Sequence, residues 1–207
     1  MRRMKQLFPV LLVAILSGCA TLPPKDYTAL RKSNPHSILV LPPLNESTDV
    51  RATYSLLTTT THPLAELGYY VFPVAMVDHY FKENGLNLAG EMHEVSLPKL
   101  REVFGADAVL YITIQEFGSK YQVLASNTIV KAKANLVDCQ TGVKLWEGSA
   151  QVVYSGQSGL LEAVVTQILN KVMDQAHGVA AMASTQLLVT PTQGLLKGPR
   201  HPEYGKN

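Results

Sequence analysis

The segment Ala108-Val109-Leu110-Tyr111-Ile112-Thr113-Ile114 restricts the fold more than any other. It is a short, nearly unbroken apolar run rich in β-branched side chains, which reads as a strand without a polar face. Such a strand has to be covered on both sides, so it belongs in the centre of a sheet with helices above and below. Ser37 to Leu41 has the same character and ends at Pro42-Pro43, which predicts a second buried strand. Tyr69 to Val74 has strand composition, but Pro73 confines it to an edge or a strand end.

A hairpin follows the central strand. In Thr128 to Asp138, Val130, Ala132, Ala134 and Leu136 alternate with Lys131, Lys133 and Asn135. Asp138-Cys139-Gln140-Thr141-Gly142 reads as a turn with Gly142 suited to positive φ. Lys144 to Tyr154 alternates again and places Trp146, Gly148, Ala150, Val152 and Tyr154 on one side.

The helical segments are of several kinds. Tyr54 to Leu67 has helical spacing, but Thr58 to Thr61 are poor helix formers and Pro63 lacks a donor. The expectation is a kink there, or two short helices, ended by Gly68. Val77 to Asn84 fits a short helix stopped by Gly85, and residues 86–95 look irregular. Ser96 can cap a helix through Phe104 that buries Leu97, Leu100, Val103 and Phe104 and stops at Gly105. Ser158 is placed to cap a long amphipathic helix with Leu160, Leu161, Val164, Val165, Ile168, Leu169, Val172, Met173 and Ala176 on one stripe, running to about Leu188. The fold class expected is α/β: a mixed sheet of about five strands with helices packed on its faces, including one long C-terminal amphipathic helix.

The N-terminus is a separate unit. Arg2, Arg3 and Lys5 precede an apolar run from Leu7 to Leu16, and Ser17-Gly18 precede Cys19. This is the layout of a secretory leader, and the run is well short of the roughly 20 apolar residues of a membrane-spanning helix. Leu16-Ser17-Gly18-Cys19 resembles the bacterial lipobox. The resemblance implies cleavage after Gly18 and lipid attachment at Cys19, whose thiolate accepts diacylglycerol as a thioether. Ala20 in place of an aspartate implies, by the same resemblance, sorting to the outer membrane and a domain facing the periplasm.

Removal of residues 1–18 leaves 189 residues with fifteen Lys and Arg against sixteen Asp and Glu, a net charge near −1. That length supports one core and one domain. The expected organisation is a lipidated tether over 19–36, a single α/β domain over 37–189 and a Gly/Pro-rich tail over 190–207. Near neutrality without a Lys/Arg cluster argues against nucleic acid as a partner. With Cys19 lipidated, Cys139 has no intramolecular partner and reads as a structural thiol in the turn.

Several segments are similar to a family of bacterial lipoproteins of unknown function. They are the lipobox, the stretch Pro63-Leu64-Ala65-Glu66-Leu67-Gly68-Tyr69-Tyr70-Val71-Phe72-Pro73-Val74, and Gly198-Pro199-Arg200-His201-Pro202-Glu203-Tyr204-Gly205. A broader resemblance reaches the group of the curli-secretion lipoprotein CsgG, the TolB amino-terminal domain and the lipoprotein activators of penicillin-binding proteins. It is carried by Asp138-x-x-Thr141-Gly142 followed by Trp146, and by the opening strand that ends in prolines and Asn45. That group implies an α/β periplasmic domain used for assembly and protein contact without catalysis.

The chemistry-bearing residues agree with that implication. The six histidines, at 36, 62, 79, 93, 177 and 201, form no H-E-x-x-H arrangement, and no cysteine pair offers a zinc site. His79 and Glu83 read as a solvated i,i+4 pair. Ser155-Gly156-Gln157-Ser158-Gly159 does not match the G-x-S-x-G elbow, and Thr58 to Thr61 reads as a helix flank rather than a glycan platform. No catalytic, cofactor-binding or metal-binding residue is nominated. Two functions follow as expectations. One is a non-catalytic accessory subunit that docks on an envelope secretion, transport or assembly complex through an exposed aromatic patch at Tyr69 and Tyr70. The other is a ligand-binding module for peptidoglycan or a small envelope molecule, activating a cell-wall synthase. An uncovered edge strand also invites self-association.

Overall fold

The computed structural model describes residues 25–122, 125–155 and 175–206. The leader, Cys19 and the stretch 156–174, which holds Ser158 and most of the expected stripe, lie outside the described residues. The chain opens with α1 (Thr28–Ser33), β1 (Ser37–Val40), β2 (Leu44–Asn45), α2 (Ala52–Glu66) and β3 (Tyr70–Val71). Then come α3 (Val74–Glu83), α4 (Ala89–His93) and α5 (Leu97–Phe104). The long strands β4 (Ala108–Gln122), β5 (Ala125–Asp138) and β6 (Lys144–Ser155) precede α6 (Gln175–Val189).

The strands form one mixed sheet in the order β3-β1-β4-β5-β6, with β2 also paired to β4. β1, β2, β3 and β4 run parallel, whereas β4-β5-β6 is an antiparallel meander. β2 resumes the path of β1 after Pro42-Pro43. β3 lies at one edge, where its proline predicted, and β4 is central.

Period-2 alternation divides the strands between two cores. Ile38, Val40, Ala108, Leu110, Ile112 and Ile114 pack with α2 and α6 on one face. Leu39, Leu41 and Val109 pack with Val77, Phe81, Met92 and Leu100 from α3, α4 and α5 on the other. β5 and β6 contribute Val130, Ala132, Ala134, Leu136, Trp146 and Ala150 to the first core only. Their opposite face carries exposed Lys133, Ser149 and Gln151.

Four details differ from the sequence expectation. First, α2 is a single helix through Pro63. The proline sits three residues from its end, so one backbone hydrogen bond is lost, and Pro63 itself is buried. The threonine hydroxyls of 58 to 61 all bond back to carbonyls of the preceding turn. They are therefore occupied within the helix. Second, residues 89–93 form α4, whose N-terminus is satisfied by Glu91 Oε2 accepting the amides of Asn87 and Leu88 at 2.9 and 3.0 Å. Third, α5 buries Leu100 fully, whereas Leu97 and Phe104 pack only at the margin of the second core. Fourth, residues 25–36 belong to the domain rather than to a tether: α1 buries Leu30, and Lys25 and Tyr27 are bonded to the body of the fold.

The turn between β5 and β6 is built on Asp138. Its Oδ1 accepts the amides of Gln140 and Thr141 and the Thr141 hydroxyl at 2.7–2.9 Å, and its Oδ2 accepts the Ser33 hydroxyl. Burial pushes the carboxyl up, but these donors, Ser33 foremost, outweigh it and hold it below the ordinary carboxylate value. A depressed carboxylate stabilises the fold above its unfolded value, and the contribution is lost as pH falls through the folded value. The urea midpoint of the wild type is therefore expected to drop more steeply than that of Asp138→Asn between pH 5 and pH 3. Parallel curves for the two proteins would contradict this reading.

Candidate functional site

Tyr69 and Tyr70 stand where α2 passes into β3. Gly68 makes the passage at φ +87, and Tyr70 joins the sheet by donating its N–H to His36 O at 2.9 Å. Successive strand residues point to opposite faces, so the two rings part. Tyr69 is 5% exposed and its hydroxyl donates to Leu196 O at 2.9 Å. Burial raises its phenol above the ordinary range. The expectation that both tyrosines form one exposed patch is thus corrected: Tyr69 is an internal anchor, and Tyr70, 39% exposed, is the surface residue.

Tyr70 begins an aromatic ridge. Its ring meets Phe72 edge-to-face at 5.0 Å, Phe72 meets Phe104 at 6.3 Å, and Phe104 meets Tyr80 at 5.2 Å. The ridge crosses from the sheet edge to α3 and α5, and ends in a second half-exposed tyrosine. Edge-to-face pairs of this spacing add to area burial and hold the rings in place. The Arg200 guanidinium lies 5.3 Å from the Tyr70 centroid, within cation–π range.

Arg200 is brought there by the C-terminal segment. Residues 190–206 contain no helix or strand, yet they are docked as a strap. The amide of Leu195 donates to Leu188 O, that of Gly198 to Leu67 O and that of Arg200 to Gly68 O, at 2.7–3.1 Å. Tyr204 donates to Asn34 Oδ1 at 2.6 Å. Glycine is required where the strap crosses Tyr69, because a Cβ on Gly198 would lie 2.9 Å from that ring. Beside the ridge the strap and α2 enclose a groove of about 700 Å³ lined by Thr61, His62, Glu66, Tyr70, Arg200 and His201.

His93 and Cys139 serve the fold. His93 Nε2 lies 2.9 Å from Pro42 O, and its ring stacks edge-on against Tyr111. Cys139 is buried, and burial pushes its thiol up to about 11. Among the described residues there is no cluster of three His, Cys, Asp or Glu side chains able to hold a metal, and no helix is long and apolar enough to cross a membrane. The ridge joins residues distant in sequence, from Tyr70 to Arg200. Composition signalled Tyr70, but nothing local signalled Phe104 as part of the ridge or Arg200 as a neighbour of Tyr70.

Similarity to known proteins places this geometry in context. The sequence model of the family "Putative lipoprotein GNA1162-like" matches residues 25–200. The lipoprotein NMB1124/NMB1162 of Neisseria meningitidis serogroup B is 48% identical over 201 residues, covering 92% of this chain and 94% of that protein. The crystal structure of lipoprotein GNA1162 from Neisseria meningitidis superposes with a TM-score of 0.57 at 49% identity, over 67% of this chain and 98% of that one. The PelC dodecamer from Paraburkholderia phytofirmans gives a TM-score of 0.47 at 15% identity, over 77% of this chain and 89% of that one.

Proposed function

The chain belongs to the GNA1162-like lipoprotein family, and from that premise we propose that it is a non-catalytic accessory subunit of an envelope secretion, transport or assembly complex, anchored by lipid on Cys19. The anchor follows cleavage after Gly18, and the domain faces the periplasm from the outer membrane. The aromatic ridge centred on Tyr70 is its docking surface. One observation carries this reading: Tyr70, Phe72, Phe104 and Tyr80 form a continuous ridge, half-exposed at both ends, that runs from the edge strand β3 to α3 and α5. Exposed tyrosines backed by rigid packing and flanked by arginine have the composition of interface hot spots. The Asp138 turn followed by Trp146 supports a wider kinship with the curli-secretion and TolB group as part of the same proposal.

Affinity capture of the anchored protein tests the surface. Tyr70→Ala is expected to lose at least tenfold in recovered partner while its thermal midpoint stays within a few degrees of wild type, because a half-exposed ring contributes little to the core. Undiminished capture by Tyr70→Ala would remove the ridge from the account.

The groove beside Tyr70 favours a second reading, a binding site for a cell-wall fragment, since His62, Glu66 and His201 supply imidazole and carboxylate groups. A ligand at 100 times its Kd stabilises by about 2.7 kcal/mol. Absence of any thermal shift with muropeptides would exclude it.

A further inference from the structure

Lys25 is fixed at the lower end of the sheet, where β4 and β6 begin. Its ammonium lies 5.0 Å from the Trp146 centroid and donates to the carbonyls of Glu147 and Gln193. Tyr27 adds a hydrogen bond to Gly194 O at 2.6 Å. Only five residues separate Cys19 from Lys25. Six peptide steps reach at most ~21 Å. A globular domain of roughly 180 residues has a radius of gyration of about 16 Å and a far side on the order of 40 Å away. A lipid on Cys19 therefore keeps the lower end of the sheet beside the bilayer, and the opposite end, where Asp49 approaches Gly118, points away.

The groove held there is polar, and its lining sets Lys25 and Lys133 against Glu147. A groove of about 540 Å³ runs over the lower β5–β6 edge to the end of α6, lined by Lys25, Lys133, Asn135, Ser149, Gln186 and Thr190 among others. Glu147, which also lines it, is paired with Lys144. Lys133 is exposed. Ammonium and amide groups at a bilayer surface meet phosphate oxygens first, and basic residues near such a surface are attracted to anionic lipid.

We propose that this groove is the membrane-docking face of the domain, and that Lys133 with the neighbouring amides receives the phosphate groups of the bilayer lipids. The proposal rests on lipidation at Cys19. It fixes the orientation of the domain, with the end of the sheet where Asp49 approaches Gly118 turned toward the periplasm.

Full-length lipidated protein in phosphatidylethanolamine/phosphatidylglycerol vesicles tests it, with a fluorophore at Ser149→Cys or Val50→Cys and a quencher on the lipid headgroup. Cys139 stays unlabelled because it is buried. The Ser149→Cys label is expected to lose more than half its emission and the Val50→Cys label less than a tenth. Adding Lys133→Glu to the Ser149→Cys protein is expected to halve the quenching. Vesicle flotation with equal quenching at the two positions overturns the orientation while leaving the anchor intact. Strong quenching at Ser149→Cys that ignores Lys133→Glu overturns the phosphate contact. Protein that fails to float and carries no lipid mass overturns the anchor, and the docking face with it.

Discussion

Cys19→Ala is expected to abolish incorporation of labelled palmitate and to leave the leader uncut, so that the recovered chain carries the mass of residues 1–18 and no lipid. The effect is all-or-none because, in the proposed anchor, the thiolate at Cys19 accepts the diacylglycerol, and alanine offers no nucleophile. The energetic consequence is equally large. Each buried methylene contributes about 0.8 kcal/mol, one myristoyl chain binds only marginally, and two or more chains anchor stably. Loss of the lipid thus converts a permanent anchorage into none, apart from whatever hold the uncut leader retains. Intact-protein mass spectrometry of the membrane fraction checks both features, and an acylated Cys19→Ala product would refute the assignment.

Gly68→Val is expected to produce a large loss of stability where the strap crosses the end of α2. Two costs combine. At φ +87 a side chain costs roughly 1–2 kcal/mol, and β-branching makes it worse. A Cβ at this position would also lie 2.3 Å from His201 N, a backbone atom that cannot step aside alone. The strap has to lift, which breaks the bonds from Gly198 to Leu67 and from Arg200 to Gly68, each worth about 1 kcal/mol net. A total of about 3–5 kcal/mol lowers the midpoint of a domain this size by roughly 10 °C or more. Gly85→Val is the control, since Gly85 has φ +83 but open space where its Cβ would stand. It suffers the backbone cost alone. Equal thermal midpoints for the two variants would show that the strap contributes nothing at Gly68.

The same pair of glycines shows what the sequence could disclose. Both were legible as helix stops, because the need for positive φ is local. The close approach of His201 to Gly68 was not, since it depends on a contact between residues 133 positions apart. The central strand β4, the buried strand β1 and the β5–β6 hairpin were likewise legible, because their hydrophobic patterns report burial directly. α1 and α4 were missed for the opposite reason: helices of six and five residues are too short to establish a period. Pro63 misled because its rule describes helix interiors, and here it stands in a last turn that loses one bond. At the candidate site, composition pointed to the two tyrosines but could not separate them. Their opposite fates follow from strand alternation at a register set by the Tyr70–His36 pairing.

The central claim is that an anchored chain docks on an envelope complex through the ridge at Tyr70. In-cell crosslinking followed by affinity capture and peptide identification tests it most directly. Three forms are compared: the lipidated wild type, lipidated Tyr70→Ala, and residues 20–207 exported behind a non-lipoprotein leader. The account predicts one defined set of envelope proteins with the wild type, depleted with Tyr70→Ala and lost without the anchor. The same proteins recovered at equal yield from all three forms, or none from any, would contradict it.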